Sequence, residues 1–229
     1  MRRIFVLLLL LLGLQLHAAD KGVQHMVEKI HWLGHDGFRI AAKSVIYLDP
    51  FQIKDGQTAD IILVTHAHHD HCSPADIGKI AGPRTVIVGP ADSLVNLRGD
   101  TRAIAPGGRM KIGEVEIVAV PAYNINKPYH PKKNGWVGYL VTVDGVTVYH
   151  AGDTDHIPEM KNIRADIALL PVGGTYTMTA DEAARAALDV HPAVAIPMHY
   201  GTIVGKPEDA ERFRRLLQKK VNVVIKAKE

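Results

Sequence analysis

The sequence predicts an α/β protein in which two β-sheets are covered by helices. Three observations predict it. Short β-branched runs dominate the chain, Gly and Pro turns punctuate them, and capped helical segments fall between and after them. A single parallel sheet would alternate strand and helix throughout, and this chain does not.

The elements follow in order. Residues 27–33, 38–41, 45–48 and 61–64 read as strands, with Gly34, Gly37, Asp49-Pro50 and Asp55-Gly56 as turns between them. Ser73-Pro74-Ala75-Asp76 opens a helix, with Ser73 as N-cap and Pro74 at the first helical position. Further strands are expected at residues 85–88, 115–120, 137–143, 146–149 and 167–170. Asp144-Gly145, between two alternating runs, is a strong hairpin turn. Residues 179–188 form an alanine-rich helix in which Thr179 and Glu182 make a capping box. A strand at 194–196, a helix at 208–218 and a last strand at 221–225 complete the chain.

Composition fits this picture. The 229 residues are 47% hydrophobic and 22% charged, which excludes wholesale disorder and collagen-like repeats. Arg2 and Arg3, the apolar run 5–12 and the small residues Ala18-Ala19 describe a secretory signal peptide over residues 1–18. The run is shorter than the roughly 20 residues a membrane span needs, so no stable span is expected after cleavage at Ala18 or Ala19. An uncleaved N-terminal anchor is the alternative. The expected product is an exported protein, periplasmic or secreted, with one domain over residues 19–229. Loss of Arg2 and Arg3 takes the formal charge from +3 to +1, and no dense basic stripe exists, so a nucleic-acid partner is not expected. Cys72 is the single cysteine and makes no internal disulfide.

The histidines carry the chemistry. Thirteen occur in 229 residues, yet four of them, His66, His68, His69 and His71, fall within six positions. They follow the apolar strand 61–64 directly, where a buried strand ends and side chains can converge. Imidazole and carboxylate are good donors to a borderline divalent ion such as zinc. His66 and His68 share a direction on extended chain, and Asp70 and His71 can address a second ion beyond the bend.

This segment resembles the His-x-His-x-Asp-His motif of the metallo-β-lactamase superfamily. Tyr149-His150-Ala151-Gly152-Asp153-Thr154 and Pro197-Met198-His199-Tyr200 are similar to its later ligand motifs, in the same order. Trp32-Leu33-Gly34-His35 and Leu170–Thr175 point to the branch of small metal-dependent hydrolases related to ascorbate-6-phosphate lactonase. The resemblance implies a four-layer αββα sandwich with two ions, zinc or else manganese or iron. It implies His66 and His68 on the first ion, Asp70, His71 and His199 on the second, and Asp153 between them.

One ligand departs from the pattern. Tyr123, in Val120-Pro121-Ala122-Tyr123-Asn124, stands where a third histidine of the first site is expected. His130 is the nearest replacement; otherwise it is a surface loop residue and the first site is weak or empty. Of the others, His69 is expected toward solvent or behind the ligands, and His150 is a core residue, a residue behind the ligands or a ligand itself. His35 either borders the site or merely turns the chain. Asp49 or Thr65 is expected to accept an N–H from a ligating imidazole. His25, His31, His156 and His191 are assigned to structure, and Cys72 is expected to pack under the helix start.

A water between two ions ionises near neutral pH and can attack a carbonyl or phosphoryl centre, with Asp70 orienting it as the catalytic carboxylate. Tyr123 and Tyr176 are candidates to contact the substrate or protonate its leaving group, and Lys127, Lys132 and Lys133 could hold an anion. The expected function is hydrolysis of a small ester, lactone or phosphoester. The alternatives are a phosphodiesterase of nuclease or phospholipase type and a non-catalytic metal-binding protein with a decayed first site.

Overall fold

The computed structural model describes residues 21–229; the leader, its cleavage point and His17 lie outside them. The first sheet runs in chain order through β1 (Ile30–Gly34), β2 (Gly37–Ala41), β3 (Val45–Leu48), β4 (Ala59–Leu63), β5 (Ala81–Gly89) and β6 (Asp100–Ala103). Its first three strands are antiparallel and the rest are parallel. The second sheet holds β7 (Arg109–Ile112), β8 (Val115–Pro121), β9 (Val137–Val143), β10 (Val146–His150), β11 (Ile167–Pro171), β12 (Val194–Met198) and β13 (Asn222–Val223), also adjacent in chain order.

Residues 21–29 form α1. Helix α2 (Pro74–Ile80) joins β4 to β5, while α3 (Ala180–Val190) and α4 (Pro207–Leu217) connect the parallel strands of the second sheet. The result is the four-layer αββα sandwich. Strand periodicity builds the layers: Ile46, Leu48, Ile61 and Leu63 enter the main core, whereas Val45, Tyr47, Ile62 and Val64 join Ile77 and Ile80 of α2. Each such side chain contributes roughly 1.5–3 kcal/mol over an exposed one.

Local signals set the element ends. Ser73 accepts from the Asp76 backbone N–H at 3.2 Å, with Pro74 opening α2. The capping box is complete, since Glu182 also accepts from the Thr179 backbone N–H at 2.8 Å. Asp144 and Gly145 take φ of 51° and 77°, the pair of positive angles that a tight hairpin needs.

Three expectations change. Residues 27–29 belong to a helix, because Val23, Met26, Val27 and Ile30 form a buried stripe of helical spacing. Strands β6 and β7 carry no run of apolar residues; β6 is wholly exposed and both lie at sheet edges, so neither shows a hydrophobic pattern. The last strand shrinks to two residues, although Val224 still donates to the Ala195 carbonyl at 3.0 Å.

Candidate metal centre

The fold gathers strand ends on one rim. Residues 65–71 follow β4, Asp49 follows β3, His130 lies in the loop after β8, Asp153 follows β10 and His199 follows β12. His35 and Asp36 form the β1–β2 turn. His35, Asp49 and His199 hold φ of 52°, 43° and 59°, a region that residues other than Gly rarely occupy. Gly173 makes room for His199: a Cβ there would lie 2.3 Å from the His199 carbonyl oxygen.

Neighbouring groups fix which nitrogen of each ring faces inward. Asp49 Oδ1 accepts from the Thr65 N–H at 2.8 Å, and Oδ2 accepts from its hydroxyl. The hydroxyl oxygen, having donated, accepts from His66 Nδ1 at 3.0 Å. His71 Nδ1 donates to Asp49 Oδ2 at 2.8 Å. Asn124 Nδ2 donates to the Tyr176 carbonyl and to Asp155, so its Oδ1 is left to accept from His130 Nδ1 at 3.0 Å. Each of these three imidazoles therefore turns its Nε2 toward the centre.

Those nitrogens face other polar atoms of the centre. His66 Nε2 stands 3.0 Å from His68 Nδ1. His130 Nε2 stands 3.2 Å from Asp153 Oδ2, as does His199 Nε2, and His71 Nε2 lies 3.5 Å from Asp153 Oδ1. His71 Nε2, His130 Nε2, His199 Nε2 and Asp153 Oδ1 are buried and lack an aligned hydrogen-bond partner. Each such group left unsatisfied costs about 1–3 kcal/mol. A cation satisfies them together, so the residues fit a metal centre. Donor atoms of His66, His68 and His130 lie within 4.8 Å of one another, and so do those of His35, His71 and His199. Asp153 touches both groups.

Electrostatics divide the centre. Burial, then the His71 charge, holds His66 well below the usual imidazole range, and burial also lowers His68. His71 and His199 go up: burial opposes this, but Asp153 outweighs it, aided by Asp49 for His71 and by Asp36 for His199. Burial works to raise the Asp70 carboxyl, yet the His35 hydrogen bond and the His71 charge hold it low.

The structure brings His66, His68, Asp70, His71, His130, Asp153 and His199 to one place. Of these, His68, Asp70, His130 and Asp153 line a cavity of about 280 Å³ together with His69, Tyr129, Tyr176 and Ile203. Tyr123 is not brought to it, because its hydroxyl donates to Glu159 at 2.9 Å and sits 3.3 Å from Lys132 Nζ. His150 is a core residue: Nε2 donates to the Asp36 carbonyl at 2.9 Å and Nδ1 accepts from Gly152 at 3.2 Å. It shares a point with Asp36 and Asp49, but both its nitrogens are committed. Cys72 donates to the Ser93 carbonyl at 3.1 Å, and burial raises its thiol to about 11. His25, His31 and His156 pair with Glu28, Glu229 and Asp189, and His191 ends α3 at φ 57°.

Of the two roles open to His35, bordering the site is the one seen: its Nε2 lies 3.0 Å from Asp70 Oδ2, which makes the β1–β2 turn a support for Asp70. Other contributors were not singled out in the sequence. Asp36 is buried beside His71 at 3.8 Å. The Trp136 ring packs on His66 and His68, with centroids 4.9 and 4.8 Å away. Position in the Gly34–Gly37 turn could have flagged Asp36; nothing local marks Asn124 or Trp136.

Comparison with known proteins agrees with this geometry. A family model described as the beta-lactamase superfamily domain matches residues 29–199. A UPF0173 metal-dependent hydrolase of Pyrococcus furiosus is 38% identical over 216 residues, covering 86% of this chain and 95% of the relative. A crystal structure of a metal-dependent hydrolase from Parabacteroides distasonis is 35% identical with a TM-score of 0.77, covering 86% of this chain and 91% of that one. Igni18, a metallo hydrolase from Ignicoccus hospitalis, is 26% identical with a TM-score of 0.73 over 86% and 93% of the two chains. With its His-Asp rim, its two facing sheets and relatives matched over nearly their whole length, the chain belongs to the β-lactamase superfamily, among its UPF0173 metal-dependent hydrolases.

Proposed function

We propose that this hydrolase cleaves a small ester, lactone or phosphoester at a two-ion centre, with zinc the foremost metal and manganese or iron the alternatives. The observation that carries the reading is the convergence of imidazoles and Asp153 on one buried rim, where His71 Nε2, His130 Nε2, His199 Nε2 and Asp153 Oδ1 lack an aligned partner, a donor set that divalent cations would satisfy together. We assign His66, His68 and His130 to one ion and Asp70, His71 and His199 to the other, with Asp153 shared. His130 supplies the donor that Tyr123 cannot, which leaves no reason to read the first half as decayed.

When bound, the ions supply a Lewis acid and a water acidified to near neutral pH. The chain's own groups do the rest. Asp70 lines the cavity with Oδ2 beside His35 and 3.7 Å from His71 Nε2, on the side of the second ion, so that Oδ1 would orient the attacking water and take its proton. Of Tyr123 and Tyr176, only Tyr176 lines the cavity and can meet the leaving group, since Tyr123 is committed to Glu159. We also propose export through the leader at residues 1–18, a small-molecule substrate and no nucleic-acid partner; no described helix is long and apolar enough to cross a membrane.

The test is purified protein loaded with zinc, manganese or iron, analysed for metal and screened on lactones, esters, phosphodiesters and β-lactams. The expected result is nearly two equivalents of metal and turnover in one class. Asp70→Ala should lower that turnover by roughly 100-fold or more while circular dichroism stays unchanged. Equal turnover by wild type and Asp70→Ala on every class would overturn the reading.

A further inference from the structure

We propose that the substrate carries an apolar, uncharged arm beside its scissile bond, and that Tyr129, Tyr176 and Ile203 hold it. The proposal rests on the hydrolase reading and narrows its substrate class to neutral esters and lactones. The cavity has two unlike parts. Its polar part is the His-Asp rim; the remainder is the two tyrosines and the isoleucine. The Tyr129 and Tyr176 rings meet edge to face with centroids 4.6 Å apart, forming one aromatic wall. Tyr129 is 43% exposed and Ile203 48%, unusual openness for large side chains beside a polar centre. Scattered exposed apolar residues are ordinary on any surface. These two instead share one cavity with Asp70 and Asp153, where an apolar ligand would cover them.

Charge points the same way. Among the described residues no lysine or arginine lines the cavity. Lys127 is bound to Asp155 and to the Thr177 carbonyl, and Lys132 to Glu159 at 2.9 Å. A carboxylate or phosphate on the substrate's remote end would find no lysine or arginine among the described residues of the cavity wall. The wall is also tied to the centre by short chain segments. Tyr129 directly precedes His130, and Ile203 lies four residues after His199, in a loop where Gly201 and Gly205 take φ of 74° and 66°. Its distance from the reacting bond is therefore set by the same segments that carry the proposed metal donors.

The experiment compares metal-loaded protein on the 4-nitrophenyl esters of acetate, butyrate, hexanoate and monosuccinate, with bis(4-nitrophenyl) phosphate alongside. The specificity constant kcat/KM should rise about 3-fold per added methylene, mainly through KM, and monosuccinate should fall at least 10-fold below butyrate. Tyr129→Ser and Ile203→Ser should flatten the series, while Val95→Ser, an exposed apolar residue elsewhere, should not. Saturation-transfer NMR of the metal-free protein with hexanamide gives a readout independent of turnover, and its signal should weaken in Ile203→Ser. A flat or falling series, or a preference for monosuccinate, would overturn the proposal while leaving hydrolysis intact. No turnover of any compound by protein shown to hold its metal would overturn the hydrolase reading itself, and this proposal with it.

Discussion

On one side of the centre His66 and His130 rest on neutral acceptors, Thr65 Oγ1 and Asn124 Oδ1; on the other His71 rests on the Asp49 carboxylate, while His130 and His199 both face Asp153 at 3.2 Å. Like rings sit in surroundings that push His66 and His71 in opposite directions. His66 and His68 are held neutral by burial, whereas His71 and His199 are drawn toward the protonated form by nearby carboxylates. Burial and the carboxylates around an imidazole thus decide whether an arriving ion would find a free electron pair or displace a proton. In the proposed two-ion centre His66 and His68 would offer free electron pairs, and His71 and His199 would first give up protons.

The largest effect should come from the residue the halves share. Asp153→Ala removes the carboxylate that faces His130, His199 and His71, so metal content should fall in both halves and hydrolysis by roughly 100-fold or more. Elemental analysis beside a turnover assay checks this. Retention of full metal in either half would show that the two are independent and break the comparison. A smaller and uneven effect is expected from the backing groups. Asp49→Asn should weaken the ion of the second half by about 10- to 100-fold and that of the first half less, through Thr65. Asn124→Ala should weaken that of the first half, by less, because a neutral acceptor adds less basicity to its ring. Chelator competition with cobalt-loaded protein, followed by its visible spectrum, separates the two halves.

Most of the frame was legible because it depends on local signals. The Ser73 and Thr179 caps, the Asp144-Gly145 turn and the alternating strands each need only a few neighbouring residues. The donors were legible for a related reason: the motifs at 66–71, 150–153 and 199 each follow a buried strand, and such strand ends share a rim. The supports were harder to read, because they come from elsewhere in the sequence. Asp49 is 22 residues from His71, and His35 is 35 from Asp70. Asp49 was foreseen as one of two acceptors, and both it and Thr65 act. Tyr123 was misjudged as a substrate contact for want of knowing that Glu159 lies beside it, 36 residues on. Edge strands β6 and β7 escaped because a strand with solvent around it needs no hydrophobic face.

The finest test of the difference between the halves is proton release. His71 and His199 have raised values in the metal-free protein, so their pairing with carboxylates stabilises the fold fully below the ordinary imidazole value of about 6.5 and is lost as pH rises through the raised values. His66 and His68 have lowered values, so the unfolded chain takes up protons below about 6.5 that the native protein refuses, and their contribution falls with falling pH. The two windows adjoin, one below about 6.5 and one above it, so metal-free stability should pass through a maximum near that value and fall on either side. Ion uptake assigns each effect to its half. Titration calorimetry at pH 7 in buffers of different ionisation enthalpy should show protons released, up to about two, from His71 and His199 as the second half fills, and almost none from His66 and His68 as the first half fills. Release should shrink as pH rises past the raised values, because His71 and His199 have by then lost their protons unaided. Equal release from both halves would mean that Thr65 and Asn124 act on their rings as Asp49 does on His71, and the asymmetry would lie in the carboxylates' positions and not in their charge.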